Sequence, residues 1–442
     1  MQSLRQAYRS LWQPASPAPL TTLRIVTGLV MLVGTLRFWS LGWIETNLLA
    51  AQLQFKYAGF EWVQMPEPDW LIYVVFGGMV LASLGVMLGY RYRLSAWLLW
   101  GSFTYVELLD LTWYLNHYYF ISLLLLLLAL LPAHRHLSLD VRLGRVQPLS
   151  SLPGWMVALP RWQMGILYVY AGMAKIQPDW LLDALPMRLW LPAHSSEPVL
   201  GPLFAWTYTP WLFSWAGMLY DCTIPFWLSW RKSRPWAYLT VIVFHALTGW
   251  LFQIGMFPVV MIAITLVFFD ANTHLHWQKR LFGSWAAEQG AAFRVAQPWV
   301  LLTGLYLAFQ LLFPWRFVLY PGNFFWTEAG YRFGWRVMLM EKAGTATFYL
   351  TRADNGREGL VDNAEFLLPH QEKQMAMQPD LIVQYAHWLQ QHYKKAGMPI
   401  QKVRAEVYVT LQGQPSSLYF DPQLNLLELN HRDFPAWLYP AP

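Results

Sequence analysis

Residues 171–180 read A-G-M-A-K-I-Q-P-D-W. They close an apolar, aromatic run that includes Trp162, Ile166, Leu167, Tyr168, Val169 and Tyr170. A charged side chain at the centre of a membrane helix costs roughly 2.5–3.5 kcal/mol, and less near the helix end. Lys175 therefore needs a reason. One is snorkelling, with the stem in lipid and the ammonium among headgroups. The other is catalysis: burial in a dry pocket lowers a lysine's proton affinity by up to about 3–5 pKa units and makes it a usable base near neutral pH. The spacing leaves both open.

The wider chain places this stretch in a membrane. Of 442 residues, 56% are hydrophobic and 13% charged, against about 25% charged in ordinary soluble domains. The net charge of +6 fits loop arginines and lysines on one membrane side rather than a nucleic-acid footprint. A single cysteine, Cys222, excludes an intrachain disulfide and a cysteine zinc cluster. The 27 tryptophans suit interfacial belts and a pocket for a flat apolar ligand. Residues before Leu20 are polar and proline-rich, so the first apolar run reads as a signal-anchor rather than a cleavable signal.

Nine spans are expected, at 20–40, 70–89, 94–109, 118–132, 160–176, 210–230, 236–253, 257–270 and 298–317. Arg5 and Arg9 precede the first, and Arg91 and Arg93 follow the second. Arg135, Arg142 and Arg145 follow the fourth; Arg231, Lys232 and Arg234 follow the sixth; Lys279, Arg280 and Arg294 follow the eighth. The intervening loops are acidic or nearly uncharged. This alternation predicts a cytoplasmic N-terminus and puts Asn116, His117, Lys175 and Gln253 at the far, non-cytoplasmic end.

From Val318 charges become dense. Thr345–Arg352 and Arg357–Val361 flank Asp354-Asn355-Gly356, a hairpin signal. Pro379 opens a helix that Gly397 ends, and residues 402–411 alternate as a strand with one buried face. The division expected is a multi-span domain at 1–317 and a small extracytoplasmic α+β domain at 318–442.

Several groups in these segments carry possible chemistry. His117 follows Asn116 at the start of the fourth span, where a neutral imidazole exchanges protons or simply sits at the interface. His245 lies inside the seventh span, as a functional group or as an interhelical hydrogen-bond partner. Gln253 and Met256 belong to Q-I-G-M-F-P, irregular backbone suited to a cavity wall. Arg332 and Arg336 either grip a carboxylate bidentately or anchor the tail. The His134/His136 and His274/His276 pairs lack carboxylate support and read as solvent-facing rather than metal-binding. No Walker loop, G-x-G-x-x-G or G-x-S-x-G is present, so ATP, a dinucleotide and serine acyl chemistry are unsupported.

Four stretches, taken in order, resemble the vitamin K-dependent gamma-carboxylase family: G-V-M-L-G-Y-R-Y-R-L-S (85–95), Y-V-E-L-L-D-L-T-W-Y-L-N-H-Y-Y (105–119), Y-A-G-M-A-K-I-Q-P-D-W (170–180) and L-F-Q-I-G-M-F (251–257). The tail, with W-T-E-A-G-Y-R-F-G-W-R (326–336) and P-D-L-I-V-Q-Y-A-H (379–387), looks like the bacterial branch, although Gly334 stands where that branch has serine. The resemblance implies a bacterial cytoplasmic-membrane enzyme that uses reduced vitamin K, O2 and CO2, without metal, ATP or biotin. The quinol is epoxidised, and the strong base so formed removes a γ-proton from a glutamate of a protein or peptide; the carbanion captures CO2. Lys175 matches the base that deprotonates the hydroquinone, and His117 the histidine of the carboxylation half. Asn116, His245, Gln253 and Met256 are expected to line the quinone site, and Arg332 and Arg336 the glutamate site. The long additional luminal part of the animal enzymes has no counterpart, so propeptide recognition is not carried over. Two rivals stand beside this reading: a quinol epoxidase that does not carboxylate, and a non-catalytic module that binds quinone or lipid.

Overall fold

Leucine-, valine- and aromatic-rich runs form the helices of the membrane part, because only a helix satisfies every backbone group within one segment in lipid. The computed structural model describes residues 11–283, 290–293 and 295–441. Arg5, Arg9 and Arg294, used above to orient the chain, lie outside the described residues. Helices occupy 59% of the described residues. The main ones of the membrane part are α1 (Ala18–Ser40), α2 (Leu71–Leu88), α3 (Tyr92–Leu109), α4 (Asn116–Leu130), α5 (Gly154–Met173), α6 (Thr209–Ser229), α7 (Arg234–Phe252), α8 (Phe257–Thr265), α9 (Ala271–Phe282) and α10 (Gln297–Leu312).

Helix thus occupies each of the nine expected runs, but not all are independently membrane-like. Among the described residues, four helices are long and apolar enough to cross a membrane: α1, α2, α7 and α10 with its extension to Leu319. Counting the bent pair Phe257–Phe268 and Ala271–Phe282 as one span gives five. The shortfall has physical causes. α3 carries Arg93 and Glu107, α5 carries Pro160 and Arg161, and α6 carries Asp221. α4 has 15 residues, about 22 Å of helix against a hydrocarbon core of about 30 Å. The expected eighth span turns by 114° into α9 rather than running straight.

The two ends of the bundle are held differently. At the basic end, Arg24 is fully buried and donates to the carbonyls of Val86 and Met87 (2.8 and 2.7 Å) and of Leu137 (2.7 Å). Asp140 accepts from the backbone N–H groups of Arg91 and Tyr92, both at 2.8 Å. The expectation of solvent-facing histidines fails here. His134, His136 and His274 are buried; His134 stacks on Tyr92 at 4.6 Å and His274 Nδ1 lies 2.9 Å from the Thr22 hydroxyl. These imidazoles fill helix contacts, and only His276 of the four is exposed.

At the other end sits the tail. It carries the four strands β1 (Lys342–Arg352), β2 (Glu358–Leu360), β3 (Ile400–Leu411) and β4 (Ser417–Leu418), in the order β2-β1-β3-β4, with α11 (Pro379–Lys395) preceding β3. The hairpin pairs Leu350 with Gly359. Val403, Ala405, Val407, Val409 and Leu411 are buried along β3, and Leu381, Ile382, Tyr385 and Leu389 form the buried stripe of α11. Loops of the membrane part grip this tail directly. Gln371 donates to Asp110 (2.6 Å) and to the Leu53 carbonyl (2.7 Å), and Gln384 accepts from the Lys56 backbone N–H (2.8 Å).

Arg24→Met keeps the stem's apolar bulk but strips three carbonyls of their donor, at about 1–3 kcal/mol for each left buried and unpaired. A lower melting temperature in detergent is expected for this variant. An unchanged melt would show that these contacts do not hold the basic end.

Candidate functional site

Lys175 stands two residues past the end of α5, and its ammonium is fully committed. Nζ donates to Asp221 Oδ2 at 2.9 Å, to the Ala171 carbonyl at 3.1 Å and to the Val337 carbonyl at 3.3 Å, and lies 5.2 Å from the Trp180 ring centroid. Three donors meet three acceptors, and the residue is 5% exposed. A snorkelling lysine would reach out of the protein; this one is enclosed. Asp221, in the middle of α6, is the partner the sequence reading missed. Its signal was present, since a carboxylate inside an apolar run carries the same membrane cost as Lys175 itself.

Close helix approach makes the pair possible. A Cβ on Gly172 would lie 2.6 Å from the Cys222 backbone nitrogen and 3.0 Å from the Asp221 carbonyl carbon. Only a hydrogen at position 172 lets α5 and α6 come near enough for Lys175 and Asp221 to meet.

Asn116 reaches the same place from the other side. Its Nδ2 donates to the Arg336 carbonyl at 2.7 Å, next in the chain to the Val337 carbonyl that receives Lys175. Two neighbouring carbonyls of the tail therefore tie the start of α4 to the end of α5. The segment that carries them is wedged among aromatic rings. Trp335 is buried and stacks on Tyr119 at 4.8 Å, and the Phe333 N–H donates to the Tyr114 hydroxyl at 2.6 Å. Phe333, Trp335 and Met338 have φ of 58°, 56° and 52°. Non-glycine residues in that region cost about 1–3 kcal/mol each and persist where surrounding contacts over-determine them.

His117 joins the site through rings. It stacks on Phe257 (centroids 4.8 Å apart), Phe257 meets His245 edge-on at 5.7 Å, and His245 Nε2 lies 2.9 Å from the Tyr168 hydroxyl. Tyr220, beside Asp221, closes the path 6.4 Å from His245 and stacks on Phe244 at 4.0 Å. His245 Nδ1 is buried without a partner among the described residues. An aromatic cage with one unsatisfied imidazole nitrogen suits a flat quinol, whose rings stack and whose oxygens hydrogen-bond.

The remaining expected residues divide. Gln253, at φ 49°, is exposed, and Met256 only precedes α8; among the described residues no contact joins Gln253 to this network. Arg332 is already filled, forked onto Asp380 at 2.6 and 3.1 Å and donating to Gln378. Burial lowers its proton affinity, but the Asp380 carboxylate outweighs that, and the net direction is upward. Arg336 differs. It is 5% exposed, its guanidinium lies 4.0 Å from Phe317 and 4.3 Å from Phe324, and Nε has no acceptor. Among the described residues no carboxylate pairs with it. Burial lowers its pKa to about 10, so it stays cationic at neutral pH with donor capacity to spare.

Removing one member of a buried ion pair costs about 3–5 kcal/mol, whereas replacing both with apolar groups is often nearly neutral. Asp221→Leu and Lys175→Met singly are expected to lower the melting temperature, and the double variant to recover much of the loss. Additive losses would mean the two charges do not stabilise each other.

Two family descriptions match the chain. HTTM domain covers residues 12–273, and vitamin K-dependent gamma-carboxylase, lumenal domain, covers residues 295–442. No solved structure matches.

Proposed function

The chain belongs to the vitamin K-dependent gamma-carboxylase family, and we propose that it carboxylates glutamate side chains of a protein or peptide, coupled to epoxidation of a reduced vitamin K-type naphthoquinone by O2. The observation that carries this reading is the enclosed Lys175–Asp221 pair beside an aromatic cage, with Asn116 and His117 drawn to the same end. A non-catalytic module that only binds lipid has no need for that arrangement. When bound, the reduced quinone with O2 supplies the strong base that a glutamate γ-proton requires.

The residues divide the remaining work. His245, Tyr168, Tyr220 and Phe257 would hold the quinol ring. Lys175 Nζ accepts a proton from a quinol oxygen only once it has a free lone pair. Asp221 Oδ2, 2.9 Å away, is placed to take the ammonium proton without releasing it to water. The longest of the three lysine contacts, to Val337, is the one a ligand oxygen displaces most easily. His117, buried against Phe257, serves the carboxylation half. Arg336, rather than the filled Arg332, would hold the glutamate γ-carboxylate, using the fork that has no internal acid. The closed, low-dielectric surroundings shield a carbanion from reprotonation.

The topology proposed is nine helical crossings in residues 1–317, with α3 to α6 stable in lipid because their polar groups face one another, and an α+β domain in 318–442. The tail end lies outside the cytoplasm, in keeping with the basic loops at the opposite end.

The test uses full-length protein in detergent with reduced vitamin K, O2, labelled bicarbonate and a short glutamate peptide. Epoxide and fixed label are expected together from the parent protein. Lys175→Ala should lose both by at least about 100-fold, the scale of general base catalysis. His117→Ala should lose label more than epoxide, and Arg336→Gln should raise the peptide KM. Epoxide without label, across several peptides, would establish the epoxidase instead; neither product from folded protein would overturn the enzyme reading.

A further inference from the structure

A cavity of about 510 Å³ lies away from Lys175. Trp155, Met156 and Leu159 line it from the start of α5, and Trp155 lies 20 residues before Lys175, about 30 Å along a helix. Its other walls are the end of α4 (Leu127, Leu130) and the lipid-facing α10 (Leu302, Thr303, Tyr306). Nothing in the chemistry proposed above uses it.

Its polar lining residues are Arg93, Trp155, Trp299, Thr303 and Tyr306, and none is acidic. Trp155 is 7% exposed, and its indole N–H is buried without an acceptor. Arg93 stands on the wall and spends only Nη1, on the carbonyls of Ala129 and Leu130. Arg135 lies outside the lining and donates through Nε to the Gln147 carbonyl. Neither arginine forms an ion pair among the described residues. A greasy cavity opening beside a lipid-facing helix, with an unpaired cation on its wall and an orphan N–H, is complementary to an anion carrying a hydrocarbon chain. A neutral ring would leave the cation uncompensated.

We propose that this cavity binds an anionic phospholipid, with its phosphate at Arg93 and an acyl chain against Leu127, Leu159 and Leu302. The site lies at the basic end of the bundle, where the membrane surface carries anionic lipid. Its occupant bridges α4, α5 and α10, three helices with little direct contact there.

The experiment is native mass spectrometry and thermal melting of the full chain in detergent, with phosphatidylglycerol or phosphatidylcholine of identical acyl chains. The anionic lipid should be retained roughly tenfold more, as expected for a phosphate beside an unpaired arginine, and should raise the melting temperature. Arg93→Gln should abolish that preference. Leu302→Trp, at a half-exposed position on α10, should fill the cavity and remove retention of both lipids while leaving the lipid-free melt unchanged. Glycerol 3-phosphate alone should produce no shift. Equal retention of the two lipids, a preference that survives Arg93→Gln, or retention that survives Leu302→Trp would overturn the proposal. A shift with glycerol 3-phosphate would mean a headgroup-only site. Displacement of the phospholipid by an uncharged menaquinone would mean a second quinone site. None of these readouts depends on carboxylation.

Discussion

Two adjacent carbonyls, of Arg336 and Val337, receive Asn116 and Lys175 respectively. That junction joins the start of α4 and the end of α5 through one strip of tail backbone, beside the links that both make to α10. The membrane part alone therefore does not complete the site; the tail does. The junction is also where backbone strain collects, in Phe333, Trp335 and Met338. Packing of Trp335 on Tyr119 and of Phe333 against Tyr114 holds the segment in place against that cost.

The second constraint is electrostatic. A lone cation at this depth is prohibitive, and so is a lone carboxylate. Lys175 and Asp221 solve the problem jointly, and Gly172 sets the helix spacing that lets them do so. In the mechanism proposed, the same pairing would let a proton move over 2.9 Å without any net charge entering the interior. A similar economy appears in the tail, where Arg332 is neutralised by Asp380 and Lys342 by Glu328. Arg336, buried and without a carboxylate partner among the described residues, departs from that pattern.

Local signals were legible in the sequence. Asp354-Asn355-Gly356 marks the turn between β1 and β2, Pro379 begins α11, and the alternation after Lys402 marks β3, because turn chemistry and periodicity act within a few residues. Lys175 was legible too, as a charge with no cheap place to be. What escaped was long-range. The Asn116–Arg336 contact spans 220 positions, and no pattern in either segment announces the other. Asp221 escaped for a different reason: it was hidden in an otherwise apolar run, although the cost argument applied to Lys175 would have found it. The span count was blurred because α3, α5 and α6 carry Arg93, Glu107, Arg161 and Asp221, which lowers their hydropathy below that of a helix facing lipid alone, and because α4 has only 15 residues. The pairing of Arg332 with Asp380 could not be told from substrate binding until the acid's position was known.

The account turns on where the quinone ring sits, so the most direct measurement is photolabelling with an azido-naphthoquinol analogue, followed by peptide mapping. The account predicts adducts on peptides from the start of α4, from the α5–α6 contact around Tyr168, Lys175 and Tyr220, and from α7 and the start of α8 around His245 and Phe257, all competed away by reduced vitamin K. Labelling confined to the α4–α5–α10 cavity around Trp155, or labelling that reduced vitamin K does not compete, would contradict it.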